Sequence, residues 1–255
     1  MEFTNSGYVS LLHNLKKHGY EFCNYHNYEK VKRPVILRHD IDNDIARALR
    51  LSEIERENGV ASTYFVLLTS NFYNCFAKRS IEMLRNIVCG GHEIGLHFDE
   101  TAYGEGIDVV KTIEREAGLL SEAIGQEITA VSMHRPSKKT LGANYVIKGG
   151  EIVNSYSELF FHDFKYLSDS RRHWREDVLG IIEREEYDKL HILTHAFWYN
   201  DVDIGIRNAE VHYINEAALE RYDFIDENFR DLSEVVGRDE IDNAIRKESN
   251  WRSEE

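Results

Sequence analysis

Only two prolines, Pro34 and Pro136, interrupt 255 residues, and no low-complexity tract occurs. A long disordered linker is therefore not expected. The three cysteines, Cys23, Cys75 and Cys89, are scattered, odd in number and without metal-ligand spacing. They read as reduced thiols, with Cys89 a core or helix-end residue. Basic excess is also missing: 31 Lys and Arg stand against 45 Asp and Glu, a net charge of −14. No basic excess exists to neutralise phosphates, which argues against a nucleic-acid or anionic-membrane surface, and no nucleic-acid partner is expected. A small anionic ligand held by a few local arginines is still compatible. No apolar run approaches the ~20 residues needed to span a bilayer. Residues 1–5 show no basic segment followed by an apolar one, so no signal peptide is visible. The chain reads as soluble and cytoplasmic, without an integral membrane segment.

What is present is a strand–helix alternation long enough for one large α/β domain over residues 1–255. Tyr8, Leu11, Leu12 and Leu15 fall at helical spacing within residues 7–18. A polar and aromatic connector over 19–32 leads to a buried strand at 34–40. A helix over 44–57 ends at Asn58-Gly59. Residues 60–68 are β-branched and aromatic, a second buried strand. A helix over 79–88, a strand over 92–97, a helix over 107–124 stopped by Gly125 and a strand over 128–133 follow. This order predicts parallel strands with crossover helices. Beyond it come a glycine turn and a strand around 149–155, another strand end at 166–170, a helix over 175–187 and a strand over 190–195. From about 208 the composition turns charged. One or two surface helices over 209–248 and a solvated acidic tail are expected outside a core of about 33–200.

One stretch carries unusual chemistry: Arg38-His39-Asp40-Ile41-Asp42, directly after Pro34-Val35-Ile36-Leu37. Alternation along a strand points Asp40 and Asp42 to one face and Ile41 to the other. Two adjacent carboxylates at the end of an apolar strand repel and are costly to desolvate. A bound cation, a nearby arginine or solvent must compensate. With a metal, one aspartate can bind it while the other acts as a base. The plainer reading is that Asp42, Asn43 and Asp44 cap the following helix. Further polar groups sit at other strand ends: His97, His134 with Arg135, Asp169 and His195. Loops after parallel strands are where such folds present functional groups.

In order, these segments resemble the motifs of the polysaccharide deacetylases of carbohydrate esterase family four. Arg38-His39-Asp40-Ile41-Asp42 is similar to the aspartate-bearing first motif. Gly91-His92-Glu93-Ile94-Gly95-Leu96-His97 is similar to the second and His134-Arg135-Pro136-Ser137 to the third. Tyr166-Leu167-Ser168-Asp169-Ser170 is a looser counterpart of the fourth, and Leu193-Thr194-His195 resembles the fifth. The resemblance covers about two-thirds of the chain. It implies a distorted (β/α) barrel with about seven parallel strands, here with C-terminal helices added, and one divalent metal, usually zinc. It implies Asp40 as general base, Asp42 and His97 as metal ligands, and His195 as the general acid that protonates the leaving amine. Arg135 would pair with Asp40, and Asp169 would orient His195 or Arg135.

The family's second metal-binding histidine, four residues after the first, is replaced here by Thr101. Candidates for the missing ligand are His134, Asp99 and Glu100. His134 is favoured because imidazole suits zinc, although alternation sends His134 and Arg135 to opposite faces. Arg172, Arg175 and Trp198 are candidates for contacting a saccharide or other small-molecule substrate, since arginines grip anions and aromatic faces stack on sugars. A surface helix start reads equally well there. The expected activity is metal-dependent removal of an acyl group from an amino sugar, such as an intermediate of surface-polysaccharide assembly. Alternatives are hydrolysis of a small non-sugar amide or ureido compound, or a non-catalytic binding protein that has lost its metal.

Overall fold

The structure, a computed structural model, describes residues 1–229 and 231–250. Its Cα positions group into two compact units, Met1–Asp203 and a second one beginning at Ile204. In the first, α1 (Asn5–Lys17) precedes β1 (Glu21–Cys23) and β2 (Pro34–Ile41). Then come α2 (Ile45–Glu57), β3 (Thr63–Leu67), α3 (Lys78–Cys89), β4 (Glu93–Phe98), α4 (Val109–Ile124) and β5 (Ala130–Met133). The short α5 (Lys138–Gly142), β6 (Val153–Asn154), β7 (Lys165–Ser168), α6 (Val178–Glu183) and β8 (Leu190–Thr194) complete it. The second unit holds α7 (Gly205–Asn228) and α8 (Arg238–Asn250), joined in part by a Tyr222 Oη donation to the Val236 carbonyl at 3.0 Å. The expected acidic tail lies largely outside the described residues. No described helix is long and apolar enough to cross a membrane.

The strands run in the order β6-β5-β4-β3-β2-β8-β7, with β1 attached to β2. Every strand pair is parallel, and the path stays open at β6 and β7. This is a partial barrel of seven parallel strands with surrounding helices: the parallel strands were expected from the strand–helix order, the distorted barrel from the family resemblance. The connector over 19–32 hides β1, whose three residues are too few for a periodicity signal. The helix expected over 175–187 is trimmed to α6, because Asp177 caps it and accepts from the Gly180 amide.

Alternation on each strand sorts two layers. Val35 and Leu37 of β2, Leu96 and Phe98 of β4, and Val131 and Met133 of β5 join the main core, together with helix residues such as Leu11, Leu51 and Leu120. The opposite faces carry Ile36, Phe65 and Ala130, which pack inside the curved sheet with Tyr25, Phe160 and Phe164. Going up the inner face of β2, the residues are Ile36, Arg38 and Asp40, with Asp42 just past the strand end. Caps then start the next helices: Asp44 accepts from the Arg47 amide at 3.0 Å and Asp108 from the Lys111 amide at 3.2 Å. The capping of α2 falls to Asp44, so Asp42 is left for the strand end.

Gly95 on β4 is required by a close approach. A Cβ there would stand 2.5 Å from two atoms of the Phe65 ring and 3.1 Å from the Ala130 carbonyl. Phe65 cannot easily give way, because the Arg38 guanidinium lies over its ring at 5.4 Å. Gly95→Ala is expected to lower stability by about 1–3 kcal/mol, the usual range for overpacking. Urea unfolding would measure it, and an unchanged midpoint would contradict the packing described.

Candidate active site

Three strand ends converge on one point. Asp42 follows β2, His97 lies on the inner face of β4 next to Gly95, and His134 follows β5. Ala130, Ser132 and His134 are every second residue of β5 and its extension, and the sheet pairing continues through the His134 amide, which donates to the Phe98 carbonyl at 2.7 Å. Alternation therefore delivers His134 inward and sends Arg135 out. Asp42 Oδ1 lies 3.2 Å from both His97 Nε2 and His134 Nδ1, and the two ring nitrogens are 3.0 Å apart. Despite these distances, the buried Oδ1 forms no hydrogen bond of good geometry.

That orphaned oxygen is informative. A tetrahedral zinc ion with bonds of about 2.0–2.1 Å separates neighbouring donors by about 3.3 Å. The observed spacing, and the set of two imidazole nitrogens and one carboxylate oxygen, fit such an ion. The other ligand candidates are occupied elsewhere. Asp99 accepts from Thr101 Oγ1 at 2.6 Å and from the Thr101 amide at 2.9 Å, while Glu100 accepts from the Ser137 amide and Thr140 Oγ1.

Asp40 is buried beside this cluster, its Oδ2 3.7 Å from His97 Nε2. Its arginine partner is not Arg135. The fully buried Arg38 donates from Nη2 to Asp40 Oδ2 at 2.9 Å and from Nη1 to Ser155 Oγ at 2.8 Å. Tyr156 covers the guanidinium with its ring centroid at 5.0 Å. Arg135 has a positive φ of 45°, its side chain is 74% exposed, and it reaches Asp99 at 3.5 Å. The physical reason is alternation: Arg38 is two residues before Asp40 on the same strand face, whereas Arg135 leaves β5 on the outer side.

Across the site, His195 Nδ1 meets Asp169 Oδ1 at 2.6 Å, and His195 Nε2 lies 3.9 Å from Asp42 Oδ2. Asp169 is fully buried, accepts from the His195 amide, and receives the Tyr199 hydroxyl at 3.0 Å. Of the two roles expected for it, the structure pairs Asp169 with His195. Burial disfavours the charged ring, but the charge and hydrogen bond of Asp169, with Asp42 adding to them, raise the His195 pKa to about 9.

Of the three expected substrate contacts, the structure commits one elsewhere. Arg172 is ion-paired with Asp203 and lies over the Phe3 ring at 4.9 Å, which commits its guanidinium within the fold. Arg175 is exposed on the loop before α6. The half-buried Trp198 packs edge-on against Phe197 at 4.9 Å and is the last residue of the turn Ala196–Trp198 that follows His195. Residues that sequence reasoning missed are Ser132, Ser155 and Tyr156, together with the role of Arg38 and the bond from Tyr199 to Asp169. Only Arg38 carried a signal, as an ionisable residue on the same strand face as both aspartates.

No family model matches the chain, and no curated protein matches it. Solved structures do. A family 4 carbohydrate esterase from Bacillus anthracis matches at 18% identity and a TM-score of 0.43, over 85% of this chain and 92% of that one. The deacetylase PplD of Streptococcus pyogenes, in complex with acetate, matches at 18% identity and 0.42, over 54% and 66%. A CE4 family pseudoenzyme from Bacillus anthracis matches at 16% identity and 0.43, over 71% and 62%. The match spans just under two thirds of the length of the latter two chains. At such identities and scores these likenesses carry no argument about function, which rests on the side chains.

Proposed function

We propose that the chain is a metal-dependent amide hydrolase that removes the acyl group from an N-acylated amino sugar. The observation that carries this reading is the convergence of Asp42 Oδ1, His97 Nε2 and His134 Nδ1 beside a separately held Asp40. Those three residues would hold one divalent cation, zinc by donor type. When bound, it supplies Lewis-acid polarisation of the acyl carbonyl. Asp40, held by Arg38 and clear of the ligand set, takes the proton from the attacking water. His195, aligned by Asp169, whose charge raises its pKa, faces the cluster with Nε2 and gives its proton to the leaving amine. His134 does here what the residue at 101 cannot, since threonine is a poor zinc ligand. Trp198 and Arg175, on the loops after β8 and β7, are the residues proposed for contact with the sugar and its substituents; Arg172, already paired, is not.

Elemental analysis of untagged wild type and Asp42→Asn, followed by acyl-release assays on a panel of N-acylated amino sugars, tests this. Near-stoichiometric divalent metal in wild type, its loss in the variant and acyl release by wild type alone are expected. Wild-type protein that holds no metal after zinc addition and dialysis would overturn the reading in favour of a binding protein. Hydrolysis confined to small non-sugar amides would overturn the sugar substrate while keeping the chemistry.

A further inference from the structure

Ser132 is fully buried on β5, directly opposite His97 in the β4–β5 register. Its hydroxyl has one proton to give. Ser132 Oγ donates to Asp40 Oδ1 at 3.3 Å and stands 2.9 Å from His97 Nδ1. Asp40, the ion-pair partner of Arg38, only accepts. With the hydroxyl proton committed to the carboxylate, the contact to His97 forms only if the ring's Nδ1–H donates to Oγ. The Nε2 lone pair then faces Asp42 Oδ1 at 3.2 Å and His134 Nδ1 at 3.0 Å. The opposite tautomer would place a proton on Nε2, in the middle of the donor set, where a cation would have to sit. The hydroxyl thus links the two functional parts of the site: one proton orients the base, and the lone pair beside it selects the ligand tautomer.

We propose that Ser132 is a positioning residue that locks His97 in the Nδ1–H form, so that Asp42, His97 and His134 present lone pairs to a divalent cation while Asp40 is held clear of it. The proposal rests on the metal-dependent reading above. This role and a mere packing role for a small buried serine separate experimentally. Threonine and valine share a shape and differ only in the hydroxyl, so any strain from the added bulk is common to both.

Zinc affinity is measured by chelator competition at one fixed pH on the full chain, for wild type, Ser132→Thr and Ser132→Val. Loss of an outer partner of a metal-bound histidine typically weakens binding by about 10–100-fold. Ser132→Val is expected to show that loss and Ser132→Thr to keep most of the wild-type affinity. In the metal-free proteins, long-range 1H–15N spectra should show His97 as a single Nδ1–H tautomer in wild type and Ser132→Thr, and as a mixture in Ser132→Val. Ser132→Ala, which removes volume, gives the same readout if the larger side chains do not fold. Equal zinc affinity in the threonine and valine variants, or in alanine and wild type, overturns the role of Ser132 and leaves the metal site standing. Failure of wild type itself to bind zinc overturns the metal-dependent reading and this proposal with it.

Discussion

Glu55→Ala is expected to lower the unfolding free energy by about 3–5 kcal/mol, the range for removing one partner from a buried charge network. Glu55 lies on α2 and is fully buried against the outer face of the sheet. Its Oε1 receives the Tyr8 hydroxyl at 2.6 Å and lies 2.9 Å from His39 Nε2. Its Oε2 receives the Ser62 hydroxyl at 2.6 Å and the Tyr64 hydroxyl at 2.7 Å. One carboxylate thus ties α1, α2, β2 and β3 together, and His39 is further anchored to β8 through Thr194 Oγ1 at 2.7 Å. Alanine leaves these donors without an acceptor, at about 1–3 kcal/mol for each that water cannot reach. The effect should have a pH signature. Burial tends to raise the Glu55 pKa, but the His39 charge and hydrogen bond, then His92 and Ser62, lower it from 4.5 to about 2. A depressed folded-state pKa contributes stability that is fully present above the unfolded value and lost as pH falls through the folded one. The Glu55 contribution is therefore intact above pH 4.5 and disappears towards pH 2. His92, whose pKa burial lowers from 6.5, adds acid sensitivity of the same sign. Urea unfolding from pH 3 to 8 should show a steep acid limb in wild type and a shallower one in Glu55→Gln. A Glu55→Ala loss under about 1 kcal/mol would mean that the network is not holding these elements together.

Asp40→Asn is expected to reduce acyl release by about 10²–10⁴-fold, the usual contribution of a positioned general base, while zinc remains bound. Asparagine keeps an acceptor for Arg38 Nη2 but no longer neutralises the buried guanidinium, so some stability is lost as well. Activity should therefore be expressed per zinc-loaded, folded molecule. The comparison with Asp42→Asn is the decisive one: the first variant should lose turnover and keep metal, the second should lose both. If Asp40→Asn instead releases the metal, the two aspartates act as a joint ligand set and the assigned base is wrong. Arg135→Ala should alter turnover little, because its guanidinium reaches Asp99 and not Asp40.

Much of the site was legible along the chain. The period of a strand places Arg38, Asp40 and Asp42 on one face, and that inference needs no knowledge of the neighbours. The strand–helix order likewise implied parallel strands, because such strands need crossover connections. The resemblance at 91–97, 166–170 and 193–195 named His97, Asp169 and His195, and the fold brings all three close to Asp42 directly or through one partner. Other features were not legible in that way. His134 was favoured as third donor for its imidazole, but its inward direction depends on β5 continuing through Ala130, Ser132 and His134 beyond its assigned end at Met133, while Arg135 turns out with φ 45°. The partner of Asp40 depends on that same exit and on room inside the barrel for an arginine between Phe65 and Tyr156. Ser132 gains a role only because the β4–β5 register sets it opposite His97. Glu55 reads locally as one more charge on a helix, and only the packing of α1 and α2 on the sheet makes it a buried acceptor. Local periodicity decides which face a side chain takes. Register and packing, which join residues tens of positions apart, decide what it meets there.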